Sequence, residues 1–306
     1  MNKETVIFGA SGFVGSNFGE EFNNCLKPGS DVVDLTVYED VLEYLNKHKP
    51  KNIVNMAAFV AGFLYNKDHN LIQLRKNSLI ALNVAAAIQE LDLNCYYLYI
   101  SSACVYGKNE NTEQDIFVSD PNINNYGYGH SKRLGHIALK SLELDNRNSI
   151  KSCILIPTNM FGPHDDFRPR MSHVIPNLIR QMFSESDQIP VLGNPYNQRD
   201  FMFCEDLCKT INLCLKKQTT GTFNVSTGQT ITILELVDKL VHLTGYKGEI
   251  YIEPKSSKSN ADIRFLKNDQ IKNELQITQS FFTDIDLALQ KTIKWYKQNA
   301  ENLEIK

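Results

Sequence analysis

The sequence predicts an α/β fold, a doubly wound parallel sheet with a smaller C-terminal α/β lobe, and three observations carry that prediction. Short apolar runs alternate with helical patterns through the first half of the 306 residues. Gly9, Gly12 and Gly15 stand at the first strand–helix junction. Beyond Gly162, Pro163, Pro169, Pro176, Pro190 and Pro195 break the rhythm. Alternating strand and helix is what a parallel sheet wrapped by helices on both faces requires.

The elements follow in order. Thr5–Phe8 is a buried strand, because four apolar or β-branched residues lead straight into a glycine turn. A helix is expected over 15–24. The second strand is short and is placed around 31–34. Helical patterns over 37–47 and 71–91 precede strands over 52–56 and 95–100, and a further strand covers 152–156. In the second half, helices are expected over 174–184, 230–243 and 283–299, with a strand over 248–252. The second of these helices starts at Thr230 or Thr232; Glu235, three residues beyond Thr232, makes a capping box there.

Composition excludes several roles. The net charge is −3, with acids and bases dispersed, so no basic face offers itself to nucleic acid. No apolar run reaches the roughly 20 residues of a membrane span. The strand pattern begins directly after Met1-Asn2-Lys3-Glu4, so no secretory leader is expected, and the protein reads as cytoplasmic. Its seven cysteines are scattered without a CxxC and read as reduced thiols. Cys204 and Cys208, four apart, read as packing on one helix face, since no further ligands accompany them. No metal is expected.

The glycine triad, G-x-x-G-x-x-G, has a physical rationale. A pyrophosphate must approach backbone N–H groups at a helix N-terminus, and side chains in the turn would block it. A tight turn with close helix–strand packing is the competing reading. The position of the triad favours a Rossmann-like dinucleotide-binding lobe over residues 1–166. A substrate-binding lobe then covers 167–306, with a return to the first around 198–225. NADP is favoured over NAD, because no acidic residue is clearly placed at the end of the second strand. Asp34 belongs to the Asp-Leu-Thr turn that opens the next helix, and Ser11 could hydrogen-bond a 2′-phosphate. NAD stays open.

Tyr128 and Lys132 stand four apart in Tyr-Gly-His-Ser-Lys and share one helix face. A phenol, with a pKa of about 10, is a poor acid or base near neutrality. A nearby ammonium stabilises its phenolate. Ser102 ends a strand upstream and can hydrogen-bond the same substrate oxygen, so the three can move a proton at a carbonyl or alcohol. Tyr126 is a decoy, since His130 and not a lysine lies four residues on.

These residues resemble the extended short-chain dehydrogenase/reductases, and among them the GDP-L-fucose synthase family of 3,5-epimerase/4-reductases. The resemblance runs through Ile156-Pro-Thr-Asn-Met-Phe-Gly-Pro-His-Asp-Asp-Phe167 and Ser172-His-Val-Ile-Pro-Asn-Leu-Ile-Arg180. It includes Ala57-Ala-Phe-Val-Ala-Gly62 and Ser102-Ala-Cys104-Val-Tyr106. It implies a cofactor held by Gly9, Ser11, Gly12, Phe13, Val14, Gly15, Ala57, Ala58 and Ser101. Pro157, Thr158, Asn159, Met160 and His173 would lie about the nicotinamide. Ser102, Tyr128 and Lys132 would be the reductase triad. Cys104 and His173 would be the epimerisation base and acid, while Asn159, Arg180 and Arg199 would contact a GDP-linked sugar. It also implies a homodimer through the helix that carries Tyr128 and Lys132 together with its neighbour.

The implied chemistry is coherent. A 4-ketone makes the protons at C3 and C5 acidic, because their loss gives an enolate. Inversion needs one group to remove a proton and another to return it from the opposite face. A thiol can be that base if positive neighbours lower its pKa from about 8.5. His173 can donate near neutrality. The chain departs from the family at Ala10, Ser11, Gln181, Leu192 and Lys255-Ser-Ser-Lys-Ser-Asn260, all of them on the nucleotide and sugar side. The sugar is therefore left open, heptoses included, as is reduction without epimerisation. A nucleotide-sugar 4-epimerase with bound NAD and a non-catalytic dinucleotide-binding regulator are the other readings.

Overall fold

The computed structural model describes residues 4–108, 111–145, 150–184, 187–252 and 261–303. The first half runs β1 (Thr5–Phe8), α1 (Tyr38–His48), β2 (Asn52–Asn55), α2 (Phe63–Asp68), α3 (Asn70–Glu90), β3 (Tyr96–Ile100), α4 (Tyr126–Leu144) and β4 (Lys151–Pro157). Then come β5 (Asn159–Phe161), α5 (Val174–Met182), β6 (Gln188–Val191), β7 (Gln198–Arg199), β8 (Phe201–Phe203), α6 (Cys204–Lys217) and β9 (Gly221–Val225). The chain closes with β10 (Ile231–Thr232), α7 (Ile233–Thr244), β11 (Glu249–Ile252), β12 (Ile263–Arg264), α8 (Asp269–Leu275) and α9 (Ile285–Leu303).

The main sheet has the order β1-β2-β3-β4-β9, with every pair parallel. Side chains of a strand alternate between faces, and here both faces are covered. Val6, Phe8, Ile53, Tyr97 and Tyr99 pack with Val41 and Leu45 of α1, Val84 and Ile88 of α3 and Leu139 of α4. Ile7, Val54, Leu98 and Leu155 pack on the other side with Leu207 and Ile211 of α6 and Ile271 of α8. Full burial of one such aliphatic side chain stabilises the fold by about 1.5–3 kcal/mol. A third apolar cluster, with Phe161, Phe167, Ile175, Ile179, Leu236 and Leu289, knits the small sheets β10-β7-β12, β11-β6 and β5-β8 to α5, α7 and α9. No helix among the described residues is long and apolar enough to cross a membrane.

Two expectations near the N-terminus are corrected. The helix over 15–24 is replaced by two single 3-10 turns, Gly15–Asn17 and Glu20–Phe22. Gly15, Gly19, Asn17 and Asn23 are poor helix formers. The extended backbone of Gly19 separates the turns, and the Phe18 and Phe22 rings stack at 3.9 Å between centroids. The second strand is not at 31–34. Leu26 instead makes a lone parallel bridge to Val6, with Ile7 N donating to Leu26 O at 2.8 Å. Pro28 and Gly29 follow at once, and a proline cannot donate to a ladder. Val33 N donates back to Gly29 O at 3.0 Å, so 29–33 is a turn. The capping box of Thr232 and Glu235 is formed, which places the start of α7 at the second of the two candidate threonines.

Candidate active site

A crevice of about 1090 Å³ opens at the carboxyl ends of β1, β2, β3 and β4, where open α/β sheets bind ligands. Ser11, Gly12, Phe13 and Val14 form its floor together with Gly9. Gly9 has φ +85°, and a Cβ there would stand 2.6 Å from Ala57 N, so only glycine lets β1 turn so close to β2. A Cβ on Gly12 would meet nothing nearer than Gly9 O at 3.3 Å, which leaves backbone open to the crevice. That cradle fits a dinucleotide pyrophosphate. Gly15 is a correction: it does not line the crevice, because it is buried against Ala10, with 2.3 Å between its would-be Cβ and Ala10 O.

Ala57 and Ala58 form one wall, and Pro157, Thr158, Asn159 and Met160 the other. Thr158 Oγ1 and Asn159 Nδ2 both donate to Asp200 O, at 3.2 and 2.9 Å. At the far end, Asp34 Oδ1 accepts from Thr36 N at 2.8 Å and from Thr36 Oγ1 at 2.7 Å. Those bonds hold the Asp34 carboxyl below its ordinary pKa.

Ser101, Ser102, Tyr128 and Lys132 all reach the crevice. Lys132 Nζ donates to Ile100 O at 2.9 Å and lies 5.8 Å from the centre of the Tyr128 ring. Burial takes the lysine pKa down to about 7, against a smaller opposing effect of Cys104. Burial pushes the Tyr128 phenol up; the Cys104 charge adds to this and a Ser102 hydrogen bond opposes it. Burial thus favours the protonated phenol. Gly127 places the pair: a Cβ there would lie 1.9 Å from Asn70 O, so α4 seats its first turn on α3 only with glycine in that position. Gly127 N also donates to Asn70 Oδ1 at 2.8 Å. Tyr126 is 41% exposed, packs on His130 and stays outside the crevice.

Cys104 occupies the 3-10 turn after β3, where its N–H donates to Ser102 Oγ at 3.2 Å. Burial pushes its thiol up, while Ser102, Arg264 and Lys132 pull it down. His173 precedes α5 with its ring exposed to the crevice. Crowding by the surrounding protein lowers its pKa, and the Asp166 charge opposes that. Arg180 and Arg199 stand outside the crevice lining and are held by local partners. Arg180 Nη2 donates to Asn177 Oδ1 at 3.0 Å, one turn earlier on its own helix. Arg199 pairs with Asp262 at 3.2 Å, and Asp262 also accepts from Arg264 Nε at 2.8 Å. His164 adopts φ +64°, packs on Trp295 and also lines the crevice. The departure at 255–260 lies outside the described residues.

Asp165 was not anticipated. It lines the crevice, is 7% exposed, and burial pushes its carboxyl up to about 8. Oδ1 accepts from Asp166 N at 2.7 Å, whereas Oδ2 has no hydrogen-bond partner among the described residues. In sequence it is one of two adjacent aspartates in a proline-flanked loop, which reads as turn chemistry.

Residues 5–226 match the NAD-dependent epimerase/dehydratase family. The chain belongs to that family. It is therefore an enzyme of the oxidoreductase/epimerase kind, and its Rossmann-like sheet is the family's. It is 25% identical to a GDP-L-fucose synthase of Dictyostelium discoideum over 320 residues, covering 98% of this chain and 97% of that one. It is equally 25% identical to a GDP-L-colitose synthase of Yersinia pseudotuberculosis over 312 residues, covering 97% and 99%. Among solved structures, a GDP-6-OMe-4-keto-L-xylo-heptose reductase from C. jejuni superimposes with a TM-score of 0.83 at 18% identity, covering 97% of this chain and 98% of that one.

Proposed function

We propose that the protein is an NADPH-dependent 3,5-epimerase/4-reductase of a GDP-linked 4-keto-6-deoxy sugar. The observation that carries this is the meeting of two different acid–base sets in one crevice. Ser102, Tyr128 and Lys132 suit a ketone oxygen, while Cys104 and His173 suit its α-carbons. The full-length relatives named for GDP-L-fucose and GDP-L-colitose support the substrate class.

Gly9, Ser11, Gly12, Phe13, Val14, Ala57, Ala58, Ser101 and Pro157 to Met160 would hold the dinucleotide. When bound, it supplies the hydride that reduces C4. NADP is favoured because Asp34 spends its Oδ1 on Thr36 and Ser11 is exposed at the crevice. The protein's own work begins at Cys104. Its thiolate takes the proton from C3 or C5 and an S–H bond forms; the C–H electron pair becomes the enolate C=C bond, and the carbonyl π pair moves to the C4 oxygen. Tyr128 and Ser102 hydrogen-bond that oxygen. His173 returns a proton to carbon from the opposite face. Tyr128 gives its proton to the C4 oxygen on reduction, and Lys132, anchored on Ile100 O, keeps the site electropositive.

A GDP-4-keto-heptose reductase that does not epimerise is the second reading. It is favoured by the C. jejuni structural relative and by the burial that pushes the Cys104 thiol up. In either case we place the enzyme in the cytoplasm as a homodimer. The paired helices α3 and α4 would meet their copies through Ile72, Leu82 and Ile137, which are exposed.

The test is incubation with GDP-4-keto-6-deoxy-mannose and NADPH in heavy water, followed by NMR of the sugar. The proposal expects a reduced C4 with deuterium at C3 and C5. Reduction without deuterium moves the assignment to the second reading; unspent NADPH ends the first, and unspent NADPH with a GDP-4-keto-heptose as well ends the second.

A further inference from the structure

Cys104 is tied into a series of side-chain amides whose first two members, Asn125 and Asn66, also line the crevice, while Gln73 and Asn77 lie behind it. Asn125 Nδ2 donates to Cys104 Sγ at 3.8 Å. Asn125 Oδ1 accepts from Asn66 Nδ2 at 3.1 Å, and Asn66 Oδ1 accepts from Gln73 Nε2 at 2.8 Å. Gln73 Oε1 accepts in turn from Asn77 Nδ2 at 3.1 Å. The far end is pinned on backbone. Phe59 N donates to Asn77 Oδ1 at 2.8 Å, and Asn77 Nδ2 donates to Phe59 O at 3.1 Å.

The direction of this series is physically determined. A backbone N–H only donates and a backbone carbonyl only accepts, so Phe59 decides which end of the Asn77 amide is oxygen. Every later amide receives at its oxygen and gives from its nitrogen. The last one, Asn125, must therefore turn an N–H toward the sulfur. Asn66, Gln73 and Asn77 are 6%, 0% and 3% exposed, and burying such groups is costly unless they are bonded. Aligned amides also polarise one another, which strengthens the terminal donor.

We propose that Asn125 is a positioning residue for the Cys104 base: its N–H stabilises the thiolate, and the buried Asn66–Gln73–Asn77 series fixes the orientation of its amide. The inference rests on the reading of Cys104 as the epimerisation base. The other groups that act on the sulfur are Ser102 from the end of β3, which lowers its pKa most, Lys132 and Tyr128 from α4 and Arg264 from β12. Asn125 acts in the same direction as the two cations. Because it is neutral, it adds no charge that a deprotonated sugar would have to accommodate. The signal is hard to find in a sequence, since the four amides come from three separate elements.

The direct test is the pH profile of Cys104 alkylation by iodoacetamide in the intact protein, read by peptide mass spectrometry with Cys104→Ser as the blank. Asn125→Ala should move the midpoint up by about one pH unit. Asn125→Asp, nearly isosteric but presenting carboxylate oxygen, should move it further. Gln73→Leu, two amides away, should move it the same way by less. A merely structural role predicts a lower melting temperature with an unchanged midpoint. Coincident profiles for the wild type and both Asn125 variants overturn the inference. Deuterium entry from heavy water into GDP-4-keto-6-deoxy-mannose separates the two layers. Asn125→Ala should slow it roughly tenfold near neutrality, with recovery at higher pH. No entry in the wild type removes the base reading itself, whereas wild-type entry with coincident profiles removes only the role of Asn125.

Discussion

Tyr128 is the residue on which reduction depends, and its environment specifies how. Burial keeps the phenol protonated through neutrality, so it serves as an acid. Tyr128→Phe should lower the reduction rate by about 10²-fold or more while cofactor affinity, followed by NADPH fluorescence, stays near the wild-type value. Asp165 gives a prediction about stability. Its folded pKa, about 8, lies above the ordinary carboxylate value. The protonated form is therefore preferred on folding, and that contribution is fully present below about pH 4. It is lost as pH rises through 8. Asp165→Asn should flatten this dependence and raise the melting temperature at pH 9 by about 2 °C or more, as read by scanning calorimetry. Neither the burial of Asp165 nor the local ties of Arg180 and Arg199 could be read from sequence, because exposure and partner choice are set by residues distant in the chain.

At the scale of elements, the link between α3 and α4 is the sensitive one. Gly127→Ala must push a methyl group into Asn70 O. It should cost about 1–3 kcal/mol in denaturant unfolding and lower turnover as well, since Tyr128 and Lys132 ride on the same turn. Thr232→Ala, which removes the capping box of α7, should cost about 1 kcal/mol and leave turnover unchanged. Long, strongly periodic elements were legible: α3 and β3 fall within a residue of their expected bounds. The segment over 15–24 was not, because a glycine turn at a strand end is commonly followed by a helix, whereas here Gly19 takes an extended backbone and splits the segment into two 3-10 turns. A strand of one bridge, like that at Leu26, leaves no periodicity to detect.

At the scale of the whole molecule, the sheet gathers onto one edge residues that lie far apart in the chain. Gly9, Ala57, Ser102 and Pro157 all stand at carboxyl ends of parallel strands; Gly9 and Ser102 were legible from their place at strand ends, Ala57 and Pro157 only through the family resemblance. His173 comes from the other half, at the head of α5, and only the fold brings it to the same crevice as Cys104. One crevice with two acid–base sets predicts that the two half-reactions come apart under mutation. Deuterium wash-in and NADPH oxidation should be followed together in single samples of Cys104→Ser and Tyr128→Phe. Cys104→Ser should lose wash-in by far the larger factor, and Tyr128→Phe should lose oxidation while some wash-in persists. Equal losses of both signals in both variants would contradict the division of labour.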